Sequence, residues 1–168
     1  SLRALGDAGL MGLLAPQEYG GRGGSLTDLA LVTCELGAAC ASSAMCFLMH
    51  CCGVALIAAK ATAAQAERWL RPAARGDAIA TLAFSERGTG AHFYMPELRA
   101  EQRNGAAVIN GRKSFVTSAG HAWLYPVLVN APSGQGLDIY VLTPDKPGLS
   151  IDGEWSGIGM AGTSSIAL

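Results

Sequence analysis

Two short stretches hold the residue types from which a ligand site can be built. One is Ala83-Phe84-Ser85-Glu86-Arg87-Gly88-Thr89-Gly90-Ala91-His92, an apolar run that breaks into a glycine-bearing polar loop. The other is Lys113-Ser114-Phe115-Val116-Thr117, a β-prone run ending in a hydroxyl. A strand end that opens into a glycine loop can bring backbone N–H groups close to a planar or anionic ligand, because glycine has no Cβ to block the approach. A neighbouring strand with Phe115 and Thr117 can offer a ring face and a hydrogen-bonding hydroxyl. The residues alone also admit plainer readings. The loop is then an ordinary surface connection, 115–117 one face of a buried strand, and His92 a solvated loop histidine.

Other chemistries find less support. Gly88-Thr89-Gly90 supplies two glycines of a dinucleotide fingerprint, but Phe93 holds the third position and no βαβ unit follows. Gly20-Gly21-Arg22-Gly23-Gly24 lacks the Lys-Ser/Thr of a phosphate loop and reads as a structural turn. Glu18, Asp28, Glu35, Glu67 and Glu86 are scattered and form no evident acid–base pair. His50, His92 and His121 lack metal-ligand spacing to cysteines or acids, so no metal is predicted.

The two stretches sit in a chain of 168 residues, half of them hydrophobic, with net charge −1. That is enough for one domain or two small ones with a real core, and it offers no basic surface for nucleic acid. The 22 glycines show no period. The cysteines, Cys34, Cys40, Cys46, Cys51 and Cys52, are five in number, without a CxxC pair, and fall in helix-like apolar text. They read as reduced thiols acting as small core hydrophobes, which fits a reducing, cytoplasmic location. The longest apolar stretch, 44–59, is interrupted by His50 and Gly53 and is expected to be a buried helix, too short to span a bilayer comfortably. The first residues do not read as a signal peptide, and both ends are expected to continue into a longer protein.

Helical signals come first. Leu2, Leu5, Leu10 and Leu13 suggest a short helix running to about Met11. Ser25 with Asp28 makes a capping box that opens a helix over 26–40; Ser42-Ser43 punctuates before a second, over 44–60. Thr62 with Gln65 opens a third over 63–75, closed by Gly76. Strand signals follow at 79–84, 98–103, 106–109, 113–117, 123–130, 137–143 and 149–151, with a hairpin turn at Asn104-Gly105 and a second turn at Asn110-Gly111. Residues 145–148 form a turn. Helices then strands imply an α+β chain: a helical bundle portion over 1–77, then an antiparallel β-barrel or sandwich over 78–168.

The same stretches carry a resemblance. Phe84-Ser85-Glu86-Arg87-Gly88-Thr89-Gly90 resembles the (Val/Phe)-Thr-Glu-Pro-Gly-Ala-Gly-Ser-Asp loop of acyl-CoA dehydrogenases. Asn110-Gly111-Arg112-Lys113-Ser114-Phe115-Val116-Thr117 is similar to that family's Gly-x-Lys-x-(Trp/Phe)-(Ile/Val)-Thr strand. Ala15-Pro16-Gln17-Glu18-Tyr19-Gly20-Gly21 resembles its Pro-Glu-Glu-Tyr-Gly-Gly turn, and Gly159-Met160-Ala161-Gly162-Thr163-Ser164-Ser165 its Gly-x-Arg-(Gly/Ala)-(Ser/Thr) segment. The four motifs stand in the family's order and span nearly the whole chain.

The resemblance implies an N-terminal helical part and a middle β-domain, with the family's C-terminal helical domain lying outside these residues. It implies FAD as cofactor, with Leu82, Phe84, Ser85, Gly90, Ala91, Phe115, Val116 and Thr117 as flavin contacts and Ala91 and His92 on the substrate side. Ser85 would hydrogen-bond the pyrimidine edge, Phe115 would cover a ring face, and the Val116 backbone and Thr117 hydroxyl would approach the N5 and O4 edge. A donor there would stabilise negative charge on the reduced ring. The implied reaction is α,β-dehydrogenation of an acyl thioester by a dimer or tetramer, with an electron-transfer flavoprotein or O2 as electron acceptor. The family's glutamate base belongs to the C-terminal domain, so no catalytic base is expected in this chain. Two departures stand out: Arg87 replaces the usual proline and Ala91-His92 the usual Ser-Asp. They leave room for a flavin monooxygenase or oxidase on the same scaffold, or for a degenerate assembly partner.

Overall fold

Four helices fill the first half of the chain and two antiparallel strand pairs the second, in a computed structural model that describes residues 2–168. Helix α1 spans Leu2–Asp7 and is shorter than the leucine spacing suggests. Gly9 enters the left-handed region at φ +67°, and the chain then turns to bury Met11 and Leu13. Helix α2 covers Leu26–Ala39, and its Ser25–Asp28 capping box is complete in both directions. Helix α3 covers Ala41–Lys60, so Ser42 and Ser43 form its first turn instead of a break. The interruption is the single extended residue Cys40. Serines are tolerated there because first-turn N–H groups have no intrahelical partner. Helix α4 covers Ala63–Arg75, capped by Thr62 and Gln65 and closed by Gly76 at φ +81°.

Helix α3 starts three residues earlier than expected, and among the described residues it is the one helix long and apolar enough to cross a membrane. Its Phe47, Cys51, Val54 and Ile57 are nevertheless buried against other parts of this chain. Mid-helix His50 is buried too. Its Nε2 donates to the Met11 carbonyl at 2.9 Å, and its Nδ1 accepts the Ala80 N–H at 3.0 Å. With a carbonyl on one side and an N–H on the other, the ring is held as one neutral tautomer.

Strands β1 (Ala100–Arg103) and β2 (Ala106–Ile109) form a hairpin around Asn104-Gly105, both at positive φ. This is the geometry that a two-residue turn needs to match strand twist. Strands β3 (Tyr125–Asn130) and β4 (Leu137–Leu142) pair from Tyr125↔Leu142 to Asn130↔Leu137.

Three expected strands are not ladders. Residues 79–84 are extended and make two isolated parallel bridges, Ala80↔Leu124 just before β3 and Ala83↔Val127 within it. The Thr81 and Ala83 N–H groups donate to Leu124 and Pro126, but Pro126 has no N–H to return. Residues 113–117 keep one bridge, Val116↔Ile166, because Phe115 and Ser118 adopt φ +54° and +59°. Next to residues 149–151 there is one bridge, Asp152↔Ala167. The architecture is therefore mixed α+β, and the described strands do not close into a barrel. One buried cluster crosses the junction: Val54, Ile57, Leu70 and Ala73 from the helices pack with Ala78, Ala80 and Leu124.

Candidate functional site

Residues 81–85 and 113–117 lie side by side in opposite directions. At one end the Thr81 hydroxyl donates to the Thr117 carbonyl at 2.7 Å, and at the other the Ser114 N–H donates to the Ser85 carbonyl at 2.8 Å. The first segment is held from below by its bonds to β3. The second is held by the end of the chain: Val116 N–H donates to Ile166, Ser118 N–H to Thr163, and Ala119 N–H to Ser164. The motif at 159–165 thus supports residues 117–119, where the second stretch ends, which its sequence position, some fifty residues later, does not advertise.

Lys113 and Glu86 join the two stretches. Lys113 Nζ lies 2.5 Å from Glu86 Oε1, with the two side chains 2% and 5% exposed. Lys113 Nζ also donates to the Phe84 carbonyl at 3.1 Å. The other carboxylate oxygen accepts the Glu97 N–H at 2.7 Å, and the Leu98 N–H lies 3.3 Å from both oxygens. Burial pushes the Lys113 ammonium below its ordinary range, against the pull of the Glu86 carboxylate. Sequence reading set Glu86 aside as a scattered acid and gave Lys113 no role. Its signal was there: a lysine within a β-prone, partly apolar run needs a buried partner.

Phe115 is 67% exposed and left-handed, an uncommon backbone for a bulky side chain. The N–H groups of Phe115 and Thr117 make no hydrogen bond among the described residues, and neither does the Ser85 hydroxyl. Val116 lies between them, fully buried, its N–H engaged by Ile166. The Thr117 hydroxyl is buried beside Ser165 at 3.1 Å. Leu82, Phe84 and Ser85 are half-buried. The paired segments therefore hold, within a few residues of one another, an exposed aromatic ring, two N–H donors and a serine hydroxyl that have no partner among the described residues. Such a set can stack on and hydrogen-bond a planar polar ring. It holds no free acid or base, because Glu86 is taken by Lys113 and by backbone.

Gly90, Ala91 and His92 lie further out, on an exposed loop. No hydrogen bond joins them to residues 113–117. Gly90 has φ +53° and open space around the position of a Cβ, so backbone conformation and not crowding calls for glycine. His92 donates its N–H to Thr89 and meets Tyr94 edge-on at 5.9 Å, and Tyr94 meets Phe93 at 5.6 Å. The turn at 15–21 is remote and structural: Tyr19 packs on the helical core, and a Cβ on Gly21 would stand 2.1 Å from the Ala15 carbonyl oxygen.

Comparison with known proteins agrees with a helical part followed by a β part. Residues 1–77 match the family model of the acyl-CoA dehydrogenase N-terminal domain, and residues 81–168 that of the middle domain. A probable acyl-CoA dehydrogenase of Bacillus subtilis is 30% identical, over 98% of this chain and 45% of its own length. The cyclohex-1-ene-1-carbonyl-CoA dehydrogenase of Syntrophus aciditrophicus is 32% identical, over 93% of this chain and 39% of its own. The chain thus spans less than half the length of these relatives. Among solved structures, an acyl-CoA dehydrogenase complexed with FAD from Bacillus anthracis superposes with a TM-score of 0.89 at 25% identity, covering 99% of this chain and 29% of that one.

Proposed function

Because the chain belongs to the acyl-CoA dehydrogenase family, we propose that it forms one wall of the flavin site of an FAD-dependent oxidoreductase that carries out α,β-dehydrogenation of an acyl thioester. The observation that carries this reading is Phe115. An aromatic ring left in solvent on a left-handed backbone, beside two free N–H groups, is arranged for a ligand and not for packing. The relative solved with FAD lends the identity of that ligand.

In this reading Phe115 stacks on the ring system, and the N–H groups of Phe115 and Thr117 bond its polar edge. Ser85 offers its hydroxyl from the neighbouring segment, with Leu82 and Phe84 excluding water beside it. Bound FAD supplies a hydride acceptor. Gly90 and Ala91 extend the cradle, and Ala91 and His92 face the substrate. We assign the proton-abstracting base to no residue of this chain and place it in the remainder of a longer protein, which acts as a dimer or tetramer in the cytoplasm and passes electrons to an electron-transfer flavoprotein or O2. Domain limits at 1–77 and 78–168 belong to the same proposal.

The test is the visible absorbance of the protein expressed from its full natural reading frame. Flavin bands in the wild type, lost in a folded Ser85→Ala/Thr117→Val variant, are the expected result. A colourless folded wild type that takes up no added FAD would overturn the reading.

A further inference from the structure

Of the ion pairs among the described residues, Glu86–Lys113 alone is buried; the other four join side chains that are each about half exposed. Taking two charges out of water is costly, and a well-packed apolar pair of similar volume is often at least as stable, so a buried pair is weak evidence of a stabilising role. The bonding pattern of this pair says more. The Glu86 carboxylate accepts from the backbone of Glu97 and Leu98, which closes the neck of the loop that carries Gly90, Ala91 and His92. The same carboxylate takes Lys113, which also grips the Phe84 carbonyl and leads two residues later into Phe115. Glu97 in turn packs so closely over Gly88 that a Cβ there would lie 2.6 Å from its carboxylate. One charge pair thus ties together the segments before the loop, after the loop, and opposite it.

We propose that Glu86 and Lys113 are positioning residues: the pair sets the height of residues 113–117 against 82–85 and fixes the base of the 87–96 loop, so that the ring, the two N–H donors and the loop face one ligand together. Neither side chain touches that ligand. The inference rests on the flavin reading given above, and it concerns a pair to which that reading assigns nothing.

The test uses the full natural protein and FAD itself as probe. Four variants are compared: Glu86→Gln, Lys113→Met, the apolar double variant Glu86→Leu/Lys113→Met, and the charge-conserving Lys113→Arg. Each is measured for thermal melting without ligand, for FAD affinity by flavin fluorescence quenching, and for the shape of the visible bands. The single neutral variants should lose stability and affinity together, since each leaves a buried charge unpaired. The double variant leaves no charge unpaired and should melt above either neutral single variant, though below the wild type because the Glu97 and Leu98 N–H groups lose their acceptor, and it should bind FAD about tenfold more weakly or worse, with altered bands. Lys113→Arg, whose larger head cannot keep the same two bonds, should fold and bind more weakly. Recovery of both stability and affinity in the double variant would show the pair to be structural only and overturn the proposal, as would unchanged affinity and bands in Lys113→Arg. A wild type that takes up no FAD removes the flavin reading and this inference with it. A wild type and variants that bind alike remove this inference alone.

Discussion

The hydroxyl of Thr117 lies 3.1 Å from that of Ser165, which itself donates to Thr163 Oγ1 at 2.8 Å. A hydroxyl has one proton. With the Ser165 proton on Thr163, Thr117 donates to Ser165 and shows any ligand only its lone pairs. Ser165→Ala should release that proton toward the ligand face. The expected result is a fold weakened by about 2 kcal/mol, from two lost hydrogen bonds at about 1 kcal/mol each, and FAD affinity kept or raised. Thr117→Val should instead weaken FAD binding by roughly threefold to tenfold. Melting curves and FAD titration of both variants check this; equal losses of affinity would contradict it.

His50 should make the protein acid-sensitive. Burial outweighs its bonds to backbone and lowers its pKa from 6.5 to about 4. The unfolded chain therefore takes up the proton first. Stability from this group is complete above pH 6.5, falls as pH drops toward about 4, and is lost below that. The full effect is roughly 3 kcal/mol, from about 1.4 kcal/mol per pKa unit. Urea titrations across this window, compared with His50→Gln, isolate the contribution: the variant should be less stable at neutral pH and have a shallower pH slope.

Gly53→Ala should destabilise although alanine is the better helix former. A Cβ at position 53 would meet the Ala80 Cβ at 2.9 Å and the Thr81 carbonyl oxygen at 3.0 Å. Propensity favours the change by about 1 kcal/mol, and overpacking opposes it by roughly 1–3 kcal/mol. A lower melting temperature is expected. Because Thr81 anchors Thr117, FAD affinity should fall with it. A raised melting temperature would mean that α3 and residues 80–81 can move apart freely.

Phe115→Ala separates binding from folding. The ring is mostly in solvent, so thermal stability of the ligand-free protein should change by no more than about 0.5 kcal/mol. Loss of one stacked ring face should weaken FAD binding by about tenfold. A variant with wild-type affinity would show that this ring does not contact flavin.

Local chemistry made much of the helical half legible. Ser25 with Asp28, Thr62 with Gln65 and Gly76 mark helix ends through contacts within three or four residues, and each holds in the structure. Asn104-Gly105 marks its hairpin for the same reason. Strand reading failed where the outcome depended on a distant partner. Residues 79–84 have β-type sequence, but Pro126 of the facing strand cannot complete a ladder. Residues 113–117 have it too, but Phe115 turns out of register at φ +54°.

From the amino-acid sequence alone came the order of elements, the family and the two stretches that meet at the candidate site, because these rest on periodicity, capping and short motifs. The tertiary structure alone decided what holds those stretches in place. Lys113 finds Glu86 from 27 residues away and Thr117 finds Ser165 from 48, and no local pattern encodes such pairings. They arise because a buried charge or hydroxyl must take whatever partner the packed chain brings within reach, and packing settles which partner that is.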